Sequence, residues 1–247
     1  MTAGQAPARG TYARCVASPR TAVVHAIVTR ALSEVGPAPL SIVDAGGGTG
    51  GLAVPLAVAG HLVTVVDPSP DSLAASGRRA AEAGVADRIT VVQGDLDDLP
   101  RIVSAGSADA VLCHRVLEFV DDRAAALAHV TAALRPGGLA SLLVANRLAQ
   151  VIQRALAGRF AEAAAHLAPH DAPGPLDRAE LEALVGAAGL TVTEVHGVRV
   201  VSDLVPGGLL DDPDAVAGIV ALEQAASDHP ALREVATQLH CLATKPR

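Results

Sequence analysis

The sequence predicts an α/β fold of three layers: a doubly wound, mostly parallel sheet with helices on both faces. Three observations predict it. Short and nearly all-apolar runs alternate with segments of helical periodicity over the first 146 residues, the pattern of strands buried on both sides. A glycine-rich turn, DAGGGTG at 44–50, joins the first such run to a helical segment. Acids stand at or just beyond the ends of three successive runs, at Asp44, Asp67 and Asp95.

Each element has its own signal. Residues 21–35 carry apolar positions at helical spacing and stop at Gly36-Pro37. LSIVDA reads as a strand, and GLAVPLAVA as a helix with Pro55 in its first turn. LVTVVD, RITVVQ, ADAVLCH and GLASLLVA read as further strands. Helices are expected over 70–83 and 122–134, the second ending before Arg135-Pro136-Gly137-Gly138. Beyond residue 146 the alternation breaks. One or two helices are expected over 147–168, a loop at HDAPGPL, and a helix capped by Asp177 that ends near Gly186–Gly189. TVTEVHGVRVV and EVATQLHCLAT carry strand-like stretches, separated by a helix near 213–227.

The chain reads as a single domain, 1–247. It divides into an N-terminal cap or lid (1–36), a cofactor-binding core (37–146) and a substrate side (147–247). The polar, Pro- and Gly-punctuated residues 1–19 are expected to be flexible. Apolar residues make up 50% and aromatics 1% (Tyr12, Phe119 and Phe160), so the core must be built from Ala, Val, Leu and Ile. A net charge of -7 counts against a nonspecific nucleic-acid binder. Cys15, Cys113 and Cys241 form no Cys-x-x-Cys pair, which points to a reduced interior without disulfides or a zinc ribbon. MTAGQAPARG lacks the apolar core of a signal peptide. Runs such as LAVPLAVAG are far shorter than the ~20 residues that span a bilayer. These features predict a soluble cytoplasmic protein with no membrane partner.

A glycine-rich strand-to-helix turn serves dinucleotides or S-adenosylmethionine. Asp44 separates the two. A pyrophosphate at a helix N-terminus is repelled by a carboxylate, whereas S-adenosylmethionine carries an ammonium and a sulfonium. Asp67 at the end of the second strand is placed to take ribose hydroxyls. Gly94-Asp95-Leu96 after the third is placed to meet adenine. The expected cofactor is S-adenosyl-L-methionine.

VDAGGGTG, VVDPSPDSL, VVQGDLDDL, DAVLCHRVLEFVDD and LRPGG, in this order, resemble the successive motifs of class I S-adenosylmethionine-dependent methyltransferases. The likeness covers about residues 40–145. It implies a Rossmann-like, seven-stranded sheet with an antiparallel C-terminal hairpin. A narrower set comprises SPRTAVVHAIV, DAGGGTG, LCHRVLEFV, NRLAQ with ALAGRF, GVRVVSD and LATKP. Together these are similar to the tRNA 5-carboxymethoxyuridine methyltransferase family, whose members methylate the carboxylate of a modified wobble uridine. That resemblance implies Arg20, Gly46, Gly47, Asp67, Asp95, Leu96 and His114 as cofactor contacts. Arg20 would pair with the methionine carboxylate, and Tyr12 would stand near the cofactor. Asp44, Gly48 and Pro68 complete the expected cofactor set. The segment AEAAAHLAPHDAPGPLDR departs from the family, being nearly free of Lys and Arg where the family carries a lysine-rich run. Bases also lack stacking aromatics here.

The expected activity is therefore O-methylation of an anionic, carboxylate-bearing small molecule. The alternatives are methyl esterification of a modified tRNA wobble base and a non-catalytic S-adenosylmethionine-binding module. His114, ending the fourth strand, is the catalytic candidate, either as a base for a hydroxyl or as a donor to the cofactor. Arg199 in its valine-rich run is a candidate clamp for an anionic substrate, or a partner of Asp203. Asn146, His196 and His240 are further substrate candidates. Glu118, Asp121 and Asp122 read as caps and solvated acids. His166 and His170 stand four apart, but Pro169 interrupts them, and no metal site is expected. Cys113 reads as a buried structural thiol.

Overall fold

A computed structural model describes residues 19–168 and 173–247. In chain order its first elements are α1 (Pro19–Val35), β1 (Ser41–Ala45), α2 (Ala53–Val58), β2 (Leu62–Asp67), α3 (Pro70–Glu82) and β3 (Ile89–Gln93). There follow α4 (Leu99–Ile102), β4 (Ala108–His114), α5 (Arg123–Ala133), β5 (Leu134–Ala145), α6 (Arg147–Leu156) and α7 (Phe160–Ala165). The last are α8 (Arg178–Ala187), β6 (Thr191–Val198), α9 (Pro213–Ser227), α10 (Pro230–Val235) and β7 (Gln238–Thr244). Among the described residues no helix is long and apolar enough to cross a membrane.

The seven strands form one sheet in the order β3-β2-β1-β4-β5-β7-β6. The first five run parallel, and β7 lies antiparallel between β5 and β6. This is the sheet that the resemblance implies. Successive side chains of a strand point to opposite faces, and both faces of the central strands are apolar. Ile42 joins Val28 and Leu32 of α1 and Leu56 of α2 in one layer. Val43 and Ala45 join Leu127 of α5 and Leu181 of α8 in the other. The largest fully buried side chains are all Leu or Ile, as an aromatic-poor chain requires.

Local chemistry sets the helix starts. Ser69 Oγ accepts from the Ser72 N–H at 3.3 Å, and Asp122 Oδ1 from the Ala125 N–H at 2.9 Å. Asp177 and Glu180 cap α8 reciprocally, each carboxylate accepting from the other's backbone N–H.

Two sequence expectations are corrected. β5 begins at Leu134 rather than Gly138, so Arg135-Pro136-Gly137-Gly138 belongs to the strand. Contacts that are remote in sequence draw it in: the Gly137 N–H donates to Lys245 O at 2.8 Å, and Arg135 Nε meets Asp109 at 2.6 Å. Glu234 and Val235 end the helix α10 instead of opening the last strand, because Pro230 stands at its first position and His229 caps it.

Past β5, Arg147 is the hub of the helical excursion. Its side chain is 5% exposed and is paired with Asp177 and Glu180, and it also donates to the carbonyls of His166 and Leu167 at 3.0 Å. Arg147→Met keeps the apolar stem and removes the charge. It is expected to lower the unfolding free energy by about 3 kcal/mol, because two sheltered carboxylates lose their partner. Urea unfolding measures this, and an unchanged midpoint would rule out the hub role.

Candidate active site

In this sheet the strand order reverses between the parallel neighbours β1 and β4, and a doubly wound sheet binds ligands beyond the strand ends at such a switch point. A cavity of about 890 Å³ lies there. Asp44, Gly46 and Gly47 line it at the tip of β1, and His114 and Arg115 at the tip of β4. Arg20, Thr21 and His25 reach it from α1, and Arg199 reaches it from just beyond β6.

The glycine turn is shaped for bare backbone. Gly46 has φ +78° and donates its N–H to Val66 O at 2.7 Å, with Val116 packed where a Cβ would point. A Cβ on Gly47 would lie 2.5 Å from Asp44 Oδ2. Asp67 fastens the turn: Oδ2 accepts from the Gly48 N–H and Oδ1 from the Ser69 N–H, both at 2.9 Å. A second hollow of about 340 Å³ follows, lined by Pro68, Gln93, Gly94, Asp95 and Asp98.

Asp44 is 3% exposed, and no donor among the described residues bonds its carboxylate. Burial, with a smaller push from the Asp67 carboxylate, raises its carboxyl to about 7. Such a group suits a cationic ligand and repels an anionic one. His114 stands half-buried in the cavity wall, with Nε2 2.8 Å from Ser141 Oγ, and burial pushes its imidazolium down to about 4.

Four arginines line the cavity: Arg20, Arg79, Arg115 and Arg199. Asp44 and Glu82 are the acids in that lining. Arg20 Nε (3.2 Å) and Arg199 NH2 (2.6 Å) share one oxygen of Asp203, while Arg115 pairs with Glu118. Arg199 Nε is buried without a hydrogen-bond partner.

The structure brings Arg20, Asp44, Gly46, Gly47, His114 and Arg199 into one cavity, and Pro68 and Asp95 into the adjoining hollow. Gly48 and Asp67 are in neither lining; their hydrogen bond ties the turn after β1 to the end of β2. Leu96 buries its side chain in the core, leaving only its backbone for a ligand. Tyr12, Cys15 and His170, and the segment expected to be flexible up to residue 18, lie outside the described residues.

Five sequence readings are corrected. Arg199 follows the strand instead of lying in it, with φ +59°. Asn146 does not reach the cavity: its Nδ2 donates to Glu234 O and Ala236 O, and its Oδ1 caps α6. His196 is held between Asp228 (2.5 Å) and Glu194 (2.9 Å). His240 is fully buried behind the wall. Glu118 is a buried partner of Arg115 and not a solvated acid. Cys113 and Cys241 are buried free thiols. Among the described residues no cluster of three His, Cys, Asp or Glu could hold a metal ion.

The sequence reading missed His25, Arg79, Arg115 and Gln238. None of the four had a signal in the sequence, because their approach depends on how separate elements pack.

A carboxylate-tipped, glycine-turned switch point of this kind defines a Rossmann-like fold of the methyltransferase type. Residues 42–138 match the family described as a methyltransferase domain. The tRNA 5-carboxymethoxyuridine methyltransferase of Escherichia coli (strain K12) is 30% identical over 200 residues, covering 79% of this chain and 76% of that protein. The ubiquinone biosynthesis O-methyltransferase of Methylobacterium nodulans is 37% identical over 163 residues, covering 64% and 63%. In fold, the chain is similar to magnesium protoporphyrin IX methyltransferase from Synechocystis PCC 6803 with bound SAH. That likeness has a TM-score of 0.63 at 17% identity and covers 99% of this chain and 90% of that one. The chain belongs to the S-adenosylmethionine-dependent methyltransferase family. It is an enzyme whose methyl donor is S-adenosylmethionine, and the relatives' names differ in acceptor.

Asp44 also gives the ligand-free protein a signature. Its folded value lies above its ordinary 3.8, so the fold favours the protonated form. The resulting stability is complete below about pH 4 and is lost as pH rises toward 7. Asp44→Asn is expected to remove that slope, a difference of a few kcal/mol in total. Denaturant midpoints of the two proteins across this range measure it, and parallel curves would reject the assignment.

Proposed function

We propose that the enzyme methylates a carboxylate oxygen of an anionic acceptor held in the cavity between His114 and Arg199. The observation that carries this reading is that four arginines line one cavity together with an unpartnered buried carboxylate, in a chain whose net charge is -7. A cavity so lined attracts a cation beside Asp44 and an anion beside the arginines.

Asp44 would face the positive methionine end of the cofactor, and the bare turn at Gly46 and Gly47 would let that end approach the backbone. Asp67 would take the ribose hydroxyls with the lone pairs that Gly48 and Ser69 leave free. Asp95 and the Leu96 backbone would meet the adenine, beside Pro68. Arg20 would hold the methionine carboxylate, exchanging its contact with Asp203 for a bidentate one. In this reading residues 37–146 supply most of the cofactor cradle, Arg20 of α1 adds to it, and the segment after β6 supplies Arg199 to the acceptor.

When bound, the cofactor supplies a methyl carbon on a sulfonium; the acceptor oxygen's pair forms the C–O bond, and the C–S pair returns to sulfur. A carboxylate acceptor is already ionised, so the chain needs no general base. Its residues align the acceptor and exclude water. Arg199 lines the cavity and gives NH2 to Asp203, and the NH1 end of its fork would serve the acceptor. Arg199→Gln is expected to raise the acceptor's KM about tenfold or more while leaving the affinity for S-adenosylhomocysteine within about twofold. The opposite pattern would reject the clamp.

Two sources of acceptor share this chemistry. A free acidic metabolite suits the aromatic-poor surface. The wobble nucleoside named in the Escherichia coli relative has the same carboxylate. Methyl-labelled S-adenosylmethionine is offered to an acidic metabolite extract and to bulk tRNA, and products are treated with mild alkali. The expected result is alkali-labile label, released as methanol, from the metabolite fraction. The same label in tRNA would reassign the source, and alkali-stable label would overturn the carboxylate.

A further inference from the structure

In the cavity wall and behind it stand three histidines that a methyl transfer does not itself require. Strand registers place His114 of β4 opposite Leu143 of β5, Leu143 opposite His240 of β7, and His240 opposite His196 of β6. Residues paired in this way point to the same face of a sheet. The His240 ring lies edge-on to His114, 5.5 Å between centroids, and stacks on His196 at 6.0 Å. Ser141 Oγ bridges the first two, 2.8 Å from His114 Nε2 and 2.7 Å from His240 Nε2.

Ser141 has one proton and two lone pairs; accepting from both rings would leave its own O–H, fully buried, without an acceptor, so it donates to one ring and accepts from the other. His240 decides which. Its Nδ1 is buried with no partner. An orphaned buried N–H is rarer and costlier than a bare acceptor. The His240 proton therefore sits on Nε2 and is donated to Ser141. The Ser141 O–H is then donated to His114 Nε2, which leaves the His114 proton on Nδ1. That nitrogen has no hydrogen-bond partner among the described residues, and His114 lines the cavity.

We propose that Ser141 and His240 are positioning residues that hold His114 as its Nδ1–H tautomer, so that His114 offers the anionic acceptor a hydrogen-bond donor and not a base. The acceptor half of this statement rests on the carboxylate reading above; the tautomer rests on the ligand-free geometry. The consequence is selectivity. A carboxylate gains from a donor and needs no deprotonation. A phenol would need a base, and His114 Nε2 is already occupied.

The surroundings keep the rings neutral. Burial pushes both His114 and His240 below the usual imidazole range. The nearby charges are Arg30 of α1, Glu194 of β6 and Asp228 after α9: Glu194 and Asp228 pair with His196 at the far end of the row, and Arg30 pairs with Glu194. His25 of α1, Asp44 at the tip of β1, and Arg115 next to His114 share the cavity lining.

Long-range nitrogen–proton NMR of histidine-labelled protein at pH 7 reads the tautomer directly, with His114→Asn assigning the signals. The expected spectrum shows His114 protonated at Nδ1 and bare at Nε2, with and without S-adenosylhomocysteine. His240→Leu frees the serine proton to face either way, and is expected to turn a single His114 tautomer into a mixture. His240→Gln restores a neutral donor and is expected to restore the single form. Wild-type His114 carrying its proton on Nε2 overturns the inference whether or not the variants fold. An unmixed spectrum in His240→Leu overturns the role of His240. Calorimetry with S-adenosylhomocysteine on the same samples separates the two readings. Binding together with an Nε2–H tautomer leaves the methyl-donor reading standing. An Nδ1–H tautomer without binding overturns the acceptor half of the inference.

Discussion

One carboxylate ties the two cofactor-side turns together. Asp67 ends β2 and accepts the N–H of Gly48 with one oxygen and that of Ser69 with the other. Through these bonds the glycine turn after β1 is fixed relative to the start of α3. The rest of the site depends on it. Gly47 can sit over Asp44 only because the turn is held there and lacks a side chain, and Asp44 is kept from water by that close approach. The raised carboxyl of Asp44 follows from its burial, to which the close approach of Gly47 contributes.

Charge in this molecule is arranged locally and against the sign of the whole. The chain is acidic, yet the cavity is ringed by arginines from α1, α3, the tip of β4 and the segment after β6. Each is partly held by the protein itself, through Asp203, Thr49 or Glu118. Such contacts keep long side chains in place before an anion arrives, which reduces the ordering that binding must impose. Asp203 is the clearest instance, since one of its oxygens serves both Arg20 and Arg199. Glu223, fully buried, accepts the backbone N–H groups of Val200, Val201 and Ser202 and so fixes the segment that carries Arg199.

Much of the fold was legible in the residues. ADAVLCH and LVTVVD match their strands residue for residue, and the helix near 213–227 matches as well. Apolar period and cap chemistry are local, so a linear reading finds them. The errors came where distant contacts override local ones. Pro136, Gly137 and Gly138 read as a break and instead lie within β5, where Gly137 and Gly138 bond the backbone of Lys245. Asn146 and His240 sit at strand positions that suggest a ligand edge, but one turns to cap a helix and the other turns behind the wall. A strand position gives a residue's height in the sheet. It does not say what packs against it.

The sequence by itself determined the alternation of strands and helices, the acids at three strand tips and the need for glycine between them, because each follows from chain stereochemistry and the period of apolar residues. Only the tertiary structure decided which side chains share the cavity. Arg199 reaches it through a left-handed residue just past β6, and Arg79 from a helix whose rotation is set by packing. His114 is bound to Ser141, and Ser141 to His240, across strands far apart in the chain. Those pairings depend on strand order and register, which no single segment encodes, and they set where protons and charges lie.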